Sequence, residues 1–145
     1  MFSRILVAVD GSPEAERALD CAIELTKKQG SAKLIILHVI LQRLYAVTPS
    51  EPGVLAPTVF VSEMQAEGEK ILKEAEERAS AEGIAYERKM AQGIPAEEII
   101  KTAQTEHVDL VVMGSRGLTE VRAFLFGSVS DKVCHRVKCP ALIVK

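Results

Sequence analysis

The chain has 145 residues, of which 48% are hydrophobic and 26% charged, and its formal net charge is -2. This length suits a single globular domain over residues 1–145, and the composition argues against an intrinsically disordered protein. The near-neutral charge gives no reason to expect nucleic acid or an anionic membrane surface as a partner. Tryptophan is absent and aromatic residues are few, which argues against a base-stacking surface.

The sequence shows neither the pattern of a signal peptide nor that of a membrane-spanning segment. The segment before Asp10 is too short for a secretory signal peptide, and no apolar run approaches the ~20 residues that span a bilayer. Three cysteines form the sparse, odd set typical of a reducing compartment. We therefore expect a soluble protein of the cytoplasm.

Five short apolar segments alternate with helical patterns, which predicts an α/β domain. Continuous apolar strands indicate burial on both faces of a parallel sheet. The third segment is weaker and alternating, so we expect an edge strand there. The prediction is an open twisted five-stranded parallel sheet in the common order 3-2-1-4-5, with helices on both faces. The predicted strands are Ile5–Val9, Leu34–Ile40, Tyr86–Ala91, Leu110–Met113 and Ala141–Val144.

Start signals mark four helices between these strands. Ser12 precedes a proline, which predicts a capped helix start, and Pro95 opens a further helix in the same way. The capping-box pattern of Ser62–Gln65 predicts that the second helix begins at Ser62. The last helix is predicted to begin near Ser128–Ser130.

The segment Leu41–Val61 fits neither period and contains three prolines and one glycine. A connection this long in a compact domain is usually functional or mobile. Its position after the second strand favours a lid over a ligand, and a disordered insertion without a role is the alternative.

Three candidate ligand-binding segments share one position in the predicted fold. Asp10 follows the first strand, His38–Val39 end the second, and Met113–Gly117 end the fourth. In an open parallel sheet the ligand crevice lies at this carboxyl edge, where the strand order reverses. Taken alone, Asp10 could cap the first helix and His38 could be a core histidine, but together the segments predict one crevice.

Two glycine-rich turns give the strongest chemical signal. Gly114–Gly117 follow the fourth strand, and Gly127–Ser130 lead into the last helix. Converging backbone N–H groups and a helix N-terminus at such turns favour an anion such as phosphate. Arg116 is either a phosphate partner or a solvated loop arginine. Singly, the glycines could be turn residues and the serines ordinary helix caps.

Several established sites are excluded. No GxxxxGK[ST] P-loop and no GxGxxG dinucleotide fingerprint occurs. A receiver domain would carry a phosphoacceptor aspartate at the end of the third strand, where the sequence reads Met90–Gly93. No serine, histidine and aspartate form a nucleophile-elbow set. Cys134, His135 and Cys139 match no zinc pattern, and we expect buried structural thiols there.

With these residues in hand, the chain resembles the universal stress protein family over essentially its full length. The resemblance depends above all on a G-x2-G-x9-G-[ST] pattern, which distinguishes the ATP-binding branch of that family. The matching segments are Ile5–Ser12, Leu37–Val39, Gly114–Gly117, Gly127–Ser128 and Cys139–Val144.

This resemblance implies an adenine nucleotide alpha hydrolase-like sheet that binds ATP at its carboxyl edge, with Mg²⁺ bridging phosphate oxygens. Asp10 would face the nucleoside, Val39 would meet adenine through its backbone, and Gly127–Ser130 would hold the phosphates. A homodimer is also implied, in which the last strands, Ala141–Val144, pair and cover an open sheet edge. The implied nucleotide contacts are Ala8, Asp10, Val39, Met113, Gly114, Arg116, Gly117, Gly127, Ser128, Val129 and Ser130.

Three functions stay open at this point. The favoured one is a non-catalytic, nucleotide-dependent sensor or switch in stress physiology, because no general base, nucleophile or arginine pair for phosphoryl transfer is evident. Binding would order the Gly117–Gly127 segment and change a surface that a partner protein recognises. The second is a slow ATPase or a phosphoryl or nucleotidyl transferase that uses Asp10 or Ser128. The third is a nucleotide-free dimeric interaction protein.

Overall fold

A computed structural model describes residues 1–41, 57–117 and 127–145 of the chain. Its strands form one parallel sheet in the order β3-β2-β1-β4-β5, which confirms the predicted order and the edge position of the third strand. The strands are β1 (Arg4–Ala8), β2 (Lys33–Leu41), β3 (Ala85–Gly93), β4 (Leu110–Gly114) and β5 (Ala141–Val144).

The helices connect these strands and begin, with one exception, where their start signals predict. They are α1 (Pro13–Gln29), α2 (Pro57–Ala81), α3 (Pro95–Thr105) and α4 (Ser128–Arg136). No helix in the described ranges is long and apolar enough to cross a membrane.

The predicted start of α2 at Ser62 is wrong, because the helix already begins at Pro57. Proline suits the first helical position, where its missing N–H would have no intrahelical partner. The residue types between Pro57 and Ser62 are weak helix formers, so the sequence pattern hides this first turn.

Two predictions fall largely outside the described residues. Of the predicted connection Leu41–Val61, Leu41 ends β2 and residues 57–61 belong to α2, while residues 42–56 lie outside the described part of the chain. Residues 118–126, which the switch hypothesis expects to become ordered, also lie outside it.

Helices cover both faces of the sheet, as the continuous apolar strands predict. On one face, Ile5 and Val7 of β1 pack in a buried cluster with residues of α1 and α2. On the other face, Leu6 packs with α3 and with Val133 of α4. Each fully buried side chain of this kind contributes roughly 1.5–3 kcal/mol. This double cover leaves the strand ends as the edge where a ligand can enter.

Ion pairs link edge strand β3 to neighbouring elements of the fold. Lys89 contacts Glu106, which also accepts a hydrogen bond from Arg4, both at 2.7 Å. Glu87 pairs with Lys33 at 2.6 Å. The hydrogen bond from Lys89 lowers the pKa of Glu106 below its ordinary range. These charges also discourage a further strand from pairing with β3.

The expectation of buried thiols at the carboxyl end of the chain is wrong for Cys134. Val133 turns toward the sheet and is buried, so the next residue on α4 faces outward and Cys134 is exposed. Cys139 is partly buried.

Candidate functional site

The predicted site lies at the carboxyl edge of the sheet, next to β1, because the strand order reverses there. β1 pairs with β2 on one side and with β4 on the other. The connections after β1 and β2 run to one face of the sheet, and those after β3 and β4 run to the other. Such a reversal opens a crevice between neighbouring loops.

The turn after β1 orients Asp10 and starts α1. Asp10 Oδ1 accepts a hydrogen bond from the backbone N–H of Ser12 at 2.9 Å. Gly11 has a φ of 83°, which favours glycine. Ser12 caps α1, because its Oγ accepts from the N–H of Ala15 at 3.2 Å. The sequence pattern of Asp, Gly, Ser and Pro thus builds a rigid turn with its carboxylate in a fixed direction.

Two glycines, at the end of β4 and three residues later, permit close approaches that a residue with a Cβ atom would not allow. A Cβ atom on Gly114 would lie 2.8 Å from the backbone carbonyl carbon of Glu14 and 3.0 Å from the nitrogen of Ala15. One on Gly117 would lie 2.6 Å from Asp10 Oδ2. The glycines are therefore steric requirements of the site: one seats β4 against α1, and the other lies against the carboxylate of Asp10.

Backbone and hydroxyl groups join the glycine turn to the start of α4. Ser115 donates its N–H to Val144 at 2.8 Å, and its carbonyl accepts the N–H of Gly127 at 2.7 Å. The buried hydroxyl of Ser130 lies 3.0 Å from the carbonyl oxygens of both Ser115 and Gly127. The hydroxyl therefore donates its proton to backbone carbonyls of the protein, and this hydrogen bonding links the two turns.

Helix α4 begins with an N-terminal turn suited to an anion. Gly127 is the N-cap residue, and no side chain in the described part of the chain caps this end. The first N–H groups of any helix have no intrahelical acceptor, and the helix dipole favours negative charge there. Val129 and Ser130 of this turn border the cavity described next.

A cavity of about 310 Å³ lies at this edge, within the size range of small-molecule sites. It brings together every predicted contact residue except Ser128, which is exposed and does not line it. The predicted residues around it are Ala8, Asp10, Val39, Met113, Gly114, Arg116, Gly117, Gly127, Val129 and Ser130. That they bind a ligand stays a prediction.

The sequence analysis did not predict the residues by which helices α2 and α3 line this cavity. Met64, Glu67 and Ile71 of α2 line it, as do Pro95 and Ile99 at the start of α3. The spacing of the α2 residues places them on one face of a helix, which is the signal that could have found them. No glycine or hydroxyl pattern marks these residues as part of a site.

The cavity is largely apolar and has few charges. Among its described lining residues, Asp10 and Glu67 are acidic and Arg116 is basic. The apolar residues gather at the side of β2 and α2, and the glycines at the side of β4 and α4. The arrangement suits a ligand with an apolar part and an anionic part.

His38 is a core histidine, as one sequence interpretation expects, and it also borders the cavity. It is 8% exposed, and its Nδ1 lies 2.7 Å from the carbonyl oxygen of Val9. A carbonyl only accepts hydrogen bonds, so the ring donates from Nδ1.

Comparisons with known proteins agree with this fold. The model of the universal stress protein family matches residues 1–145. The universal stress protein YxiE of Bacillus subtilis is 40% identical, with all of both chains covered. The solved structure of protein MJ0577, from Methanocaldococcus jannaschii, has a TM-score of 0.85 at 31% identity and covers 100% of this chain and 96% of that one.

A universal stress protein solved in complex with cAMP has a TM-score of 0.74 at 30% identity, and the match covers 99% of this chain and 97% of that one. Whole-length similarity to these proteins, in sequence and in structure, matches the resemblance that the glycine pattern indicates. The chain belongs to the universal stress protein family.

Proposed function

We propose that the cavity binds an adenine nucleotide, ATP in the first place, and that the protein is a nucleotide-dependent sensor in stress physiology. The observation that carries this proposal is the convergence of the two glycine turns, Asp10 and Val39 around one cavity. The similarity to a universal stress protein solved with cAMP supports an adenine nucleotide.

The glycine side of the cavity would hold the phosphates of the ligand. Gly114 and Gly117 line the cavity and offer only backbone atoms there, and a Cβ would meet α1 at Gly114 and Asp10 at Gly117. The N-terminal turn of α4 adds N–H groups and a favourable dipole. The phosphates would thus lie along Gly114, Gly117 and Val129, and Arg116 would offset part of their charge.

The nucleoside would occupy the apolar side of the cavity. Val39, near the end of β2, would offer its backbone to the base, and Met64 and Ile71 of α2, which also line the cavity, would supply apolar contact. Asp10 lies between the two sides, where its carboxylate can accept hydrogen bonds from ribose hydroxyls. Mg²⁺, when bound with ATP, would neutralise phosphate charge that one arginine leaves unbalanced.

Calorimetry with ATP and Mg²⁺ tests this proposal, with Gly127→Asp as the variant. The added carboxylate would stand at the buried N-cap of α4 and repel phosphate, so binding should be lost. Gly83→Asp is the matched control, because nothing lies within 4 Å of its Cβ position and aspartate tolerates its φ of 66°. Circular dichroism confirms that both variants fold. Equal affinity of Gly127→Asp and the parent would refute the proposal.

Slow ATP hydrolysis or group transfer is the second candidate, and the position of Asp10 favours it. Asp10 Oδ2 lies beside Gly117, close to the proposed phosphate site. Ser128, the other candidate nucleophile, is exposed and outside the cavity lining, which weighs against it. Turnover that Asp10→Asn abolishes while ATP binding survives would establish catalysis. Absence of phosphate release by the parent would rule out ATP hydrolysis.

Assembly and location complete the proposal. β5 is an edge strand, and its Leu142 is 37% exposed, which is typical of a strand that pairs with a second copy. We propose a homodimer through Ala141–Val144, and the cytoplasm as its location. A dimer without nucleotide, acting only through protein contacts, is the third candidate, and a folded dimer that carries no nucleotide in native mass spectrometry, even with ATP and Mg²⁺ added, would favour it.

A further inference from the structure

Helix α2 contains a glycine at the point where it borders the cavity. Met64, Glu67 and Ile71 line the cavity, and Gly68 lies among them and is buried. Glycine is one of the poorest helix formers, and this one lies in the middle of a 25-residue helix. We therefore expect that packing against a neighbouring element requires a glycine at this position.

The imidazole ring of His38 supplies that reason. A Cβ atom on Gly68 would lie 2.8 Å from Cδ2 and 3.2 Å from Nε2 of the ring, and 3.0 Å from Cε of Met90. The methyl end of Met90 is flexible and can move aside. The ring is therefore the obstacle that keeps residue 68 a glycine.

His38 cannot move aside without losing a hydrogen bond at the end of β1. Its Nδ1 donates to the carbonyl of Val9 at 2.7 Å, and the ring is almost fully buried. Val9 in turn donates its N–H to Leu37 at 2.9 Å. The ring is thus fixed between α2 and the backbone that leads directly into Asp10.

The same helix face also approaches the turn after β1. A Cβ on Gly11 would lie 3.4 Å from Cδ1 of Ile71, which is ordinary van der Waals distance, so this position has room for a methyl group. Helix α2 therefore lies near the carboxyl edge at two places, and its approach to His38 is the closer one.

From this geometry we infer that His38 and Gly68 are positioning residues, which set how closely α2 approaches the ends of β1 and β2. The inference rests on the proposed function, because it assumes that the cavity-lining residues of α2 contact the nucleoside part of the ligand. Met64, Glu67 and Ile71 lie on the same face of α2 and move with it. A shift of α2 outward would widen the cavity and remove these contacts from the base.

A double-mutant cycle in ATP affinity tests this inference. Gly68→Ala should weaken ATP binding by about tenfold, because an added methyl in a packed contact displaces the backbone. In a His38→Ala background the methyl has room, so the same change should cost less than about twofold. Gln65→Ala, on the exposed side of α2, is the control and should bind like the parent.

Affinity is measured by calorimetry on samples that circular dichroism shows to be folded, so a general loss of stability does not mimic the effect. Parent-like affinity of Gly68→Ala, or an equal loss in both backgrounds, would overturn the inference. If Gly68→Ala does not fold, restored folding in the double variant supports the contact, and a double variant that stays unfolded refutes it. Failure of the parent to bind ATP refutes the proposed function itself.

Discussion

Replacing Gly114 by alanine should destabilise the protein through a collision between β4 and α1. The new Cβ would lie 2.8 Å from the carbonyl carbon of Glu14 and 3.0 Å from the nitrogen of Ala15. Packed carbon atoms rest about 3.5–4.0 Å apart. Both obstacles are backbone atoms in the first turn of α1, which Ser12 caps, so the helix start must move as a unit by roughly 1 Å.

Overpacking of this kind costs about 1–3 kcal/mol, and we expect Gly114→Ala to lower the free energy of unfolding by about 2 kcal/mol. In a domain of this size that corresponds to a fall in Tm of about 5 °C. Urea unfolding measures the change. ATP affinity should fall as well, because Gly114 and Ala15 both line the cavity.

Gly117→Ala is the matched comparison, because its obstacle is a side chain. The new Cβ would lie 2.6 Å from Asp10 Oδ2, and the carboxylate can rotate away by giving up the hydrogen bond from Ser12. The loss of stability should then be about 1 kcal/mol, while ATP binding weakens because Asp10 is displaced. The reasoning is refuted if Gly114→Ala unfolds within about 0.5 kcal/mol of the parent, or if Gly117→Ala is the less stable variant.

Three further predictions concern the turn, the charges and the sheet edge. Ser130→Ala should cost about 1–2 kcal/mol in urea unfolding, since two backbone carbonyls lose a buried hydroxyl, whereas a parent-like midpoint would contradict the role of that hydroxyl. The pKa of Glu106 lies below its ordinary 4.5 because Lys89 donates to it, so its contribution to stability is complete above pH 4.5 and is lost as the pH falls through the folded value. Glu106→Gln should therefore flatten the acid side of the stability profile, and an unchanged slope would count against the ion pair. Leu142→Lys should convert the proposed dimer to a monomer in sedimentation, and a persistent dimer would place the interface elsewhere.

Much of the fold could be predicted because local signals and tertiary structure agree. Continuous apolar segments mark strands that are buried on both faces, and Pro13 and Pro95 mark helix starts. The weak apolar pattern of β3 follows from its place at the sheet edge. The order of strands then brings Asp10 and the glycine turns to one edge without any knowledge of side-chain contacts.

What the sequence does not reveal depends on distances between elements. Met64, Glu67 and Ile71 carry no chemical pattern, and they become part of the site only because α2 lies across the ends of the strands. The need for glycine at position 68 also depends on a distance between elements, because a Cβ there would meet the ring of His38, thirty positions earlier in the chain. Ser128 is the reverse case, because the family pattern includes it while it is exposed and does not line the cavity, so its contact with a ligand stays a prediction.

Native mass spectrometry of the purified protein tests the central claim most directly. The claim is that the cavity between the glycine turns and β2 binds an adenine nucleotide. We predict that the monomer or the dimer carries the added mass of one adenine nucleotide per chain, which appears on addition of ATP and Mg²⁺ if none is retained through purification. A parent protein that shows no added mass per chain in both cases, while it is folded by circular dichroism, would contradict the account.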